Sequence, residues 1–170
     1  MTVSAELELQ SFVLLRLGER RFAVPANQIA ELVAPSRVFK FPHRTAQIEG
    51  VILRRGRIVP VCDVAESLTG RKVTSRRLYL LAVRHYGAQT EWVALPVTGE
   101  CELINAEMTV AAESDAPHVA GWLSHAGDVI EVLNIDAITP GPGEMRVEGE
   151  ATVAVEARPC RLPGVLQKSC

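Results

Sequence analysis

The sequence predicts an all-β fold of small closed barrels with only a few short helices. Three features predict it. Branched apolar residues come in short runs of alternating faces, glycine-containing breaks separate these runs, and nowhere do strands alternate with long helices as βαβ units require. Closing such strands into barrels removes exposed sheet edges, and brief helices then cap the barrel ends.

In chain order, residues 11–17 form a first strand, Gly18 and Glu19 a tight turn, and residues 21–24 the hairpin partner, ended by Pro25. Ile29, Leu32 and Val33 then recur at helical spacing, with Asn27 placed to cap and Pro35 to stop them, which predicts a short helix over 28–34. Residues 38–41 are extended up to Pro42. Strands 50–54 and 58–62 follow, joined across Arg55-Gly56-Arg57, a basic turn that must be exposed. Asp63 with Glu66 three residues on starts a second short helix, which Gly70 closes after Leu68. The second half repeats the theme. Residues 78–85 and 91–97 form a hairpin around Gly87, 100–104 add a strand, 105–117 are a loop, and 119–124 with 128–135 form a last hairpin around Ala126-Gly127. The spacing from Gly50 to Gly56 recurs from Gly121 to Gly127, each time followed by a branched apolar strand, which hints at two similar lobes. Residues 1–10 are an N-terminal extension. Residues 140–170 change character, with Pro140-Gly141-Pro142-Gly143 and later Pro159 and Pro163, and read as a Pro/Gly-rich flexible tail in which 152–155 alternate weakly enough to serve as an edge strand.

A chain of 170 residues, 48% hydrophobic and 22% charged, can bury a substantial core without staples. No apolar run is long enough to span a bilayer, and Glu6 and Glu8 stand where a secretory signal would carry positive charge, so the chain is expected in the cytoplasm, without direct membrane insertion. Cys62, Cys101, Cys160 and Cys170 form no CxxC pair and are expected to be free thiols. The charge is uneven. Residues 1–90 hold 14 Lys and Arg against 7 Asp and Glu, and residues 91–170 hold 4 against 13. Such an asymmetry can steer different partners to different places.

Sequence signals of catalysis are missing. No strand is followed by a glycine-rich phosphate loop, no GxSxG elbow appears, and His43, His85, His118 and His125 lack the spacing of zinc ligands. Glu100 and Glu102 fall on one strand face by period two, in an acidic region where solvent exposure explains them better than an acid–base pair. We therefore expect no enzyme, no metal and no cofactor.

The most informative block runs from Gly50 through Arg55, Gly56 and Pro60 to Asp63 and Val64. It resembles the signature of CheW domains: a glycine, two apolar residues, Asn-Leu-Arg-Gly, a variable residue, then an apolar strand with a central proline and a closing Asp. Gly50, Arg55, Gly56, Pro60 and Asp63 fall at the family's positions, and the flanks resemble it too: Phe22-Ala23-Val24-Pro25, the expected short helix carrying Ile29 and Glu31, Phe41-Pro42, and Gly121-Trp122 with the closing strand Ile130 to Asp136. The resemblance runs from about Phe12 to Ile138, which makes residues 11–139 the expected CheW-like domain. Leu53 stands where the family usually has Asn, and Arg54 where it usually has Leu; Arg in place of an apolar contact residue implies an altered mate.

That resemblance implies two five-stranded, SH3-like barrels packed on a shared apolar core, and a non-catalytic adaptor. Its partners would be a CheA-type histidine kinase, held by one lobe, and the helical cytoplasmic tip of a methyl-accepting chemoreceptor, held in a groove between the lobes. Arg55 is the leading contact residue, since a guanidinium on an exposed turn can clamp a carboxylate; its alternative role is to pin the two lobes together internally. Gly56 would permit the turn, Leu53, Arg54 and Arg57 would flank the contact, and Glu31 would stand at its rim. The competing class is a small nucleic-acid-binding barrel using Arg54, Arg55, Arg57, Arg71, Lys72, Arg76 and Arg77. Aromatics make up only 5% of the chain, too few for base stacking, so no nucleic acid is expected.

Overall fold

The computed structural model describes residues 8–40, 47–112 and 116–140. Ten strands form two five-stranded sheets: β1 (Leu9–Leu17), β2 (Arg20–Pro25), β3 (Ile29–Val33), β4 (Ile48–Arg54), β5 (Arg57–Cys62), β6 (Leu78–Tyr86), β7 (Gln89–Val97), β8 (Glu102–Val110), β9 (Val119–His125) and β10 (Asp128–Leu133). Two short helices, α1 (Ala65–Thr69) and α2 (Ile135–Ile138), follow β5 and β10.

The first lobe is a closed barrel in the order β1-β2-β10-β9-β8, and the second is a sheet in the order β3-β6-β7-β5-β4. In each lobe two hairpins meet along one parallel contact, β10 on β2 and β5 on β7. The second sheet curls as the first does. Its chain leaves β3 at Pro35 and returns beside β4, where Phe39 and Val51 exchange both backbone hydrogen bonds at 2.8 and 2.9 Å.

Burial shows why the apolar runs alternate so imperfectly. Along β1, Phe12 and Leu14 fill the first barrel, while Val13, Leu15 and Leu17 face a core shared between the lobes. Along β6, Tyr79 and Leu81 fill the second lobe, while Leu80 and Ala82 join the same shared core. Strands buried on both faces read as continuous hydrophobic sequence. Both helices press into the shared core as well, α1 with Ala65 and Leu68 and α2 with Ile135 and Ile138, so they sit between the lobes as much as over the barrel ends.

Two expectations are corrected. Residues 28–34 are not a helix: a single 3₁₀ turn, Ala26–Gln28, leads straight into β3. Pairing with β6, from Ile29 opposite Ala82 to Val33 opposite Tyr79, supplies hydrogen bonds that the local spacing of apolar residues does not announce. Residues 105–117 are not all loop, because β8 runs on to Val110. Its first part pairs with β1 and its last part, Met108 to Val110, with β9, so this one strand closes the barrel. The segment 152–155 and the tail as a whole, from residue 141, lie outside the described residues, as do His43, Phe41 and Pro42.

The repeated glycine spacing marks equivalent places. At Gly50 a Cβ would come within 2.4 Å of the Phe39 carbonyl oxygen, and at Gly121 within 2.4 Å of the Thr109 carbonyl oxygen. A neighbouring backbone passes directly over each glycine, so neither accepts a side chain. Each strand then ends in a two-residue turn with positive φ at both positions, Arg55 (48°) and Gly56 (72°) in one lobe, Ala126 (52°) and Gly127 (84°) in the other.

Candidate functional site

The β4–β5 hairpin carries most of the residues singled out in the sequence. Leu53 and Ile58 are cross-strand partners. Alternation turns their neighbours Ile52 and Val59 into the core and leaves this pair outside, 60% and 67% exposed. Arg54 and Arg57, also paired, occupy the other face at the barrel's end. Each has a partner there. Arg57 lays its guanidinium 4.7 Å from the ring centroid of Trp92, and Arg54 reaches Glu31.

Glu31 lies on β3, not on a helix, and its position gives it a different role from that of a rim residue. β3 and β4 are the two edges of the curled sheet. Across this seam Arg54 donates from Nε to Glu31 Oε2 at 3.2 Å and from Nη2 to Oε1, a two-pronged grip. The hydrogen bond from Arg54 is the main cause that lowers the Glu31 carboxyl below its ordinary pKa of 4.5; partial burial opposes it, and the charges of Arg54 and Arg55 add to it. Arg54 is therefore neutralised within the lobe, which explains how Arg is tolerated where the family usually has Leu.

Arg55 touches the same carboxylate more loosely, with Nη2 and Nε each 3.4 Å from an oxygen, and its side chain stays 68% exposed. It does not pin the lobes to each other. Its one charged partner among the described residues belongs to the second lobe, and most of its donors face outward. Gly56 forms the turn with nothing within 4 Å of the place a Cβ would occupy, so its positive φ is what selects glycine there.

Sequence reasoning missed several contributors. Ile58 was legible as the residue that alternation sets opposite buried Val59. Trp92, half-buried under Arg57, gave only the signal of an aromatic near a strand start. Arg84 gave none: it is buried at 4% exposure, donates to the Pro140 carbonyl oxygen, and pairs with Glu91 at 2.5 Å. Asp63 of the motif is structural, accepting from the Ala65 backbone N–H at 3.1 Å and lying 3.6 Å from Arg76, which also binds Glu49. That removes Arg76 from any open basic patch; Arg77 is paired with Glu100 at 2.9 Å, and Arg54 with Glu31. Glu100 itself precedes β8, so it does not share a strand face with Glu102.

The matching hairpin of the first lobe carries the opposite charge. Asp128 stands where the second lobe has Arg57, beside exposed Val129, with ion pairs from Arg21 to Asp128 and from Arg20 to Glu131. Between the lobes, the β1–β2 turn and the loop after α1 enclose a groove of about 510 Å³ lined by Leu17, Arg20, Arg71, Lys72 and Val73. Among the described residues no three His, Cys, Asp or Glu side chains gather as a metal site requires, and no helix is long and apolar enough to cross a membrane. Cys62 and Cys101 are free thiols.

Two β lobes packed on a shared core, each ending in a charged hairpin beside an exposed apolar residue, define a two-lobed β-barrel module. Comparison with known proteins agrees. The family model described as CheW-like domain matches residues 11–141. Among solved structures, the scaffolding protein TtCheW from Thermoanaerobacter tengcongensis is similar over 82% of this chain and 99% of its own, with a TM-score of 0.68 and 19% identity. No curated protein sequence matches the chain. The chain belongs to the CheW-like domain family.

Proposed function

We propose that the chain is a cytoplasmic adaptor that couples a CheA-type histidine kinase to the cytoplasmic tip of a methyl-accepting chemoreceptor. The observation that carries this reading is the β4–β5 hairpin, where an outward Leu53–Ile58 pair lies beside an arginine, Arg55, that keeps most of its surface free. Exposed apolar pairs rimmed by charge are the usual make-up of a docking patch, the apolar centre giving affinity and the rim setting register. The kinase's regulatory domain occupies this hairpin. A receptor helix fits the groove between the lobes, whose Arg20, Arg71 and Lys72 favour an acidic face.

The test is Arg55→Asp, assayed by co-precipitation with the kinase and with a receptor cytoplasmic fragment. Binding to the kinase should fall at least tenfold with the thermal midpoint nearly unchanged. Undiminished capture of both partners rejects the role of Arg55, and a collapsed thermal midpoint assigns it to holding the second lobe together.

A further inference from the structure

The two lobes carry opposite charge on surfaces of like make-up. Residues 26–77, which supply β3, β4 and β5 of the second lobe, hold ten Lys and Arg against four Asp and Glu. Residues 98–140, which supply β8, β9 and β10 of the first, hold eight Asp and Glu and no Lys or Arg. On the basic side the outer face of the β4–β5 hairpin is apolar well beyond its tip. Phe39 stands opposite Val51, Val51 opposite Pro60, and Leu53 opposite Ile58, so alternation puts all five on the side away from buried Ile52 and Val59. Phe39, Leu53 and Ile58 are exposed, Arg37 lies over the Phe39 ring at 5.1 Å, and Arg55 stands at the tip.

On the acidic side the outer face of the first barrel centres on exposed Trp122, which pairs with Thr109 on β8 and Glu131 on β10. Glu107 and Val129 fall diagonally beside it, within reach of an aromatic side chain. Val129, at 75%, is the most exposed large apolar residue among those described, and the exposed Glu107 has no ionic partner among them. Arg20 and Arg21 offset Glu131 and Asp128, so Glu107 is the anion that this face leaves open. Each face thus has the composition of half an interface, aromatic and branched side chains beside an open charge, positive on one lobe and negative on the other. We propose that the β8–β10 face of one molecule docks on the β4–β5 face of a second copy, Glu107 against Arg55, and Trp122 with Val129 against Phe39, Leu53 and Ile58. Such a contact is heterologous: both ends of a pair stay open, and association runs past the dimer. As a contact between copies it needs nothing beyond this chain; that a second copy competes with the kinase for the hairpin rests on the function proposed above.

Sedimentation equilibrium of the full-length chain, with neither kinase nor receptor present, tests the contact apart from that function. The average mass should rise with concentration beyond that of a dimer, and rise less at high salt. Arg55→Asp, Glu107→Arg and Val129→Ser, all at exposed positions, should each weaken association at least tenfold with the thermal midpoint nearly unchanged. The double variant Arg55→Asp with Glu107→Arg exchanges the two charges and should recover it. A chain that stays monomeric at every concentration overturns the proposal. So does association that stops at the dimer, that any of the three single variants leaves unchanged, or that the double variant fails to recover.

Discussion

Arg54 grips Glu31 with both prongs of its guanidinium across the seam between β3 and β4, and by doing so it spares Arg55. Two arginines compete for one carboxylate, and the one with the better geometry wins. The family-like variant Arg54→Leu should hand Glu31 to Arg55 alone, lowering the thermal midpoint and weakening kinase capture together. In the double variant Arg54→Leu with Glu31→Gln, Arg55 is freed again, so capture should recover although stability does not. Capture that stays low in the double variant would show that Arg54 contacts the kinase itself.

The same pair makes stability sensitive to acid. Glu31 has a folded pKa below its ordinary 4.5, so its contribution is complete above that value and is lost as pH falls through the folded pKa. Chemical denaturation between pH 6 and pH 3 should show a steeper loss in the native sequence than in Glu31→Gln. Parallel curves would mean that Glu31 does not titrate this way.

Gly50→Ala and Gly121→Ala should each destabilise by about 1–3 kcal/mol or more, because a methyl would be driven against a backbone carbonyl that cannot swing aside. Urea midpoints measure this directly. Gly56→Asn, at an open turn with positive φ, should cost far less.

Burial pushes the Cys62 thiol up to about 12, with the nearby Arg84 charge opposing the shift. In the folded protein at pH 8 it should resist iodoacetamide and become reactive only on unfolding. A thiol whose folded pKa is raised contributes fully below its ordinary 9.0 and loses that contribution as pH rises toward 12, so stability should decline through this window and decline less in Cys62→Ala. Prompt alkylation of native Cys62 would contradict its burial.

Arg84→Met should cost about 2–4 kcal/mol, since it leaves the buried Pro140 carbonyl and Glu91 without their donor. Arg84→Lys should not restore it, because one ammonium cannot span both acceptors as a planar fork does.

The hairpins were legible because their signals are local: glycine at the turn and alternation on either side. The strand β3 was not, since Ile29, Leu32 and Val33 fit a helix as well as a strand, and the deciding partner, β6, lies some fifty residues away. The extent of β8 was hidden for the same reason, its last residues being held by β9. At the candidate site, exposure of the arginine turn followed from charge and glycine, but the engagement of Arg54 by Glu31 did not, because sheet curvature alone brings opposite edges together. Arg84 could not have been foreseen: in sequence it is one more arginine on a strand end.

The double burial of β1 and β6 has a mechanical consequence. Neither lobe can be peeled from the other without opening two hydrophobic interiors at once, so the lobes resist separation. A molecule built this way behaves as a rivet and not as a hinge.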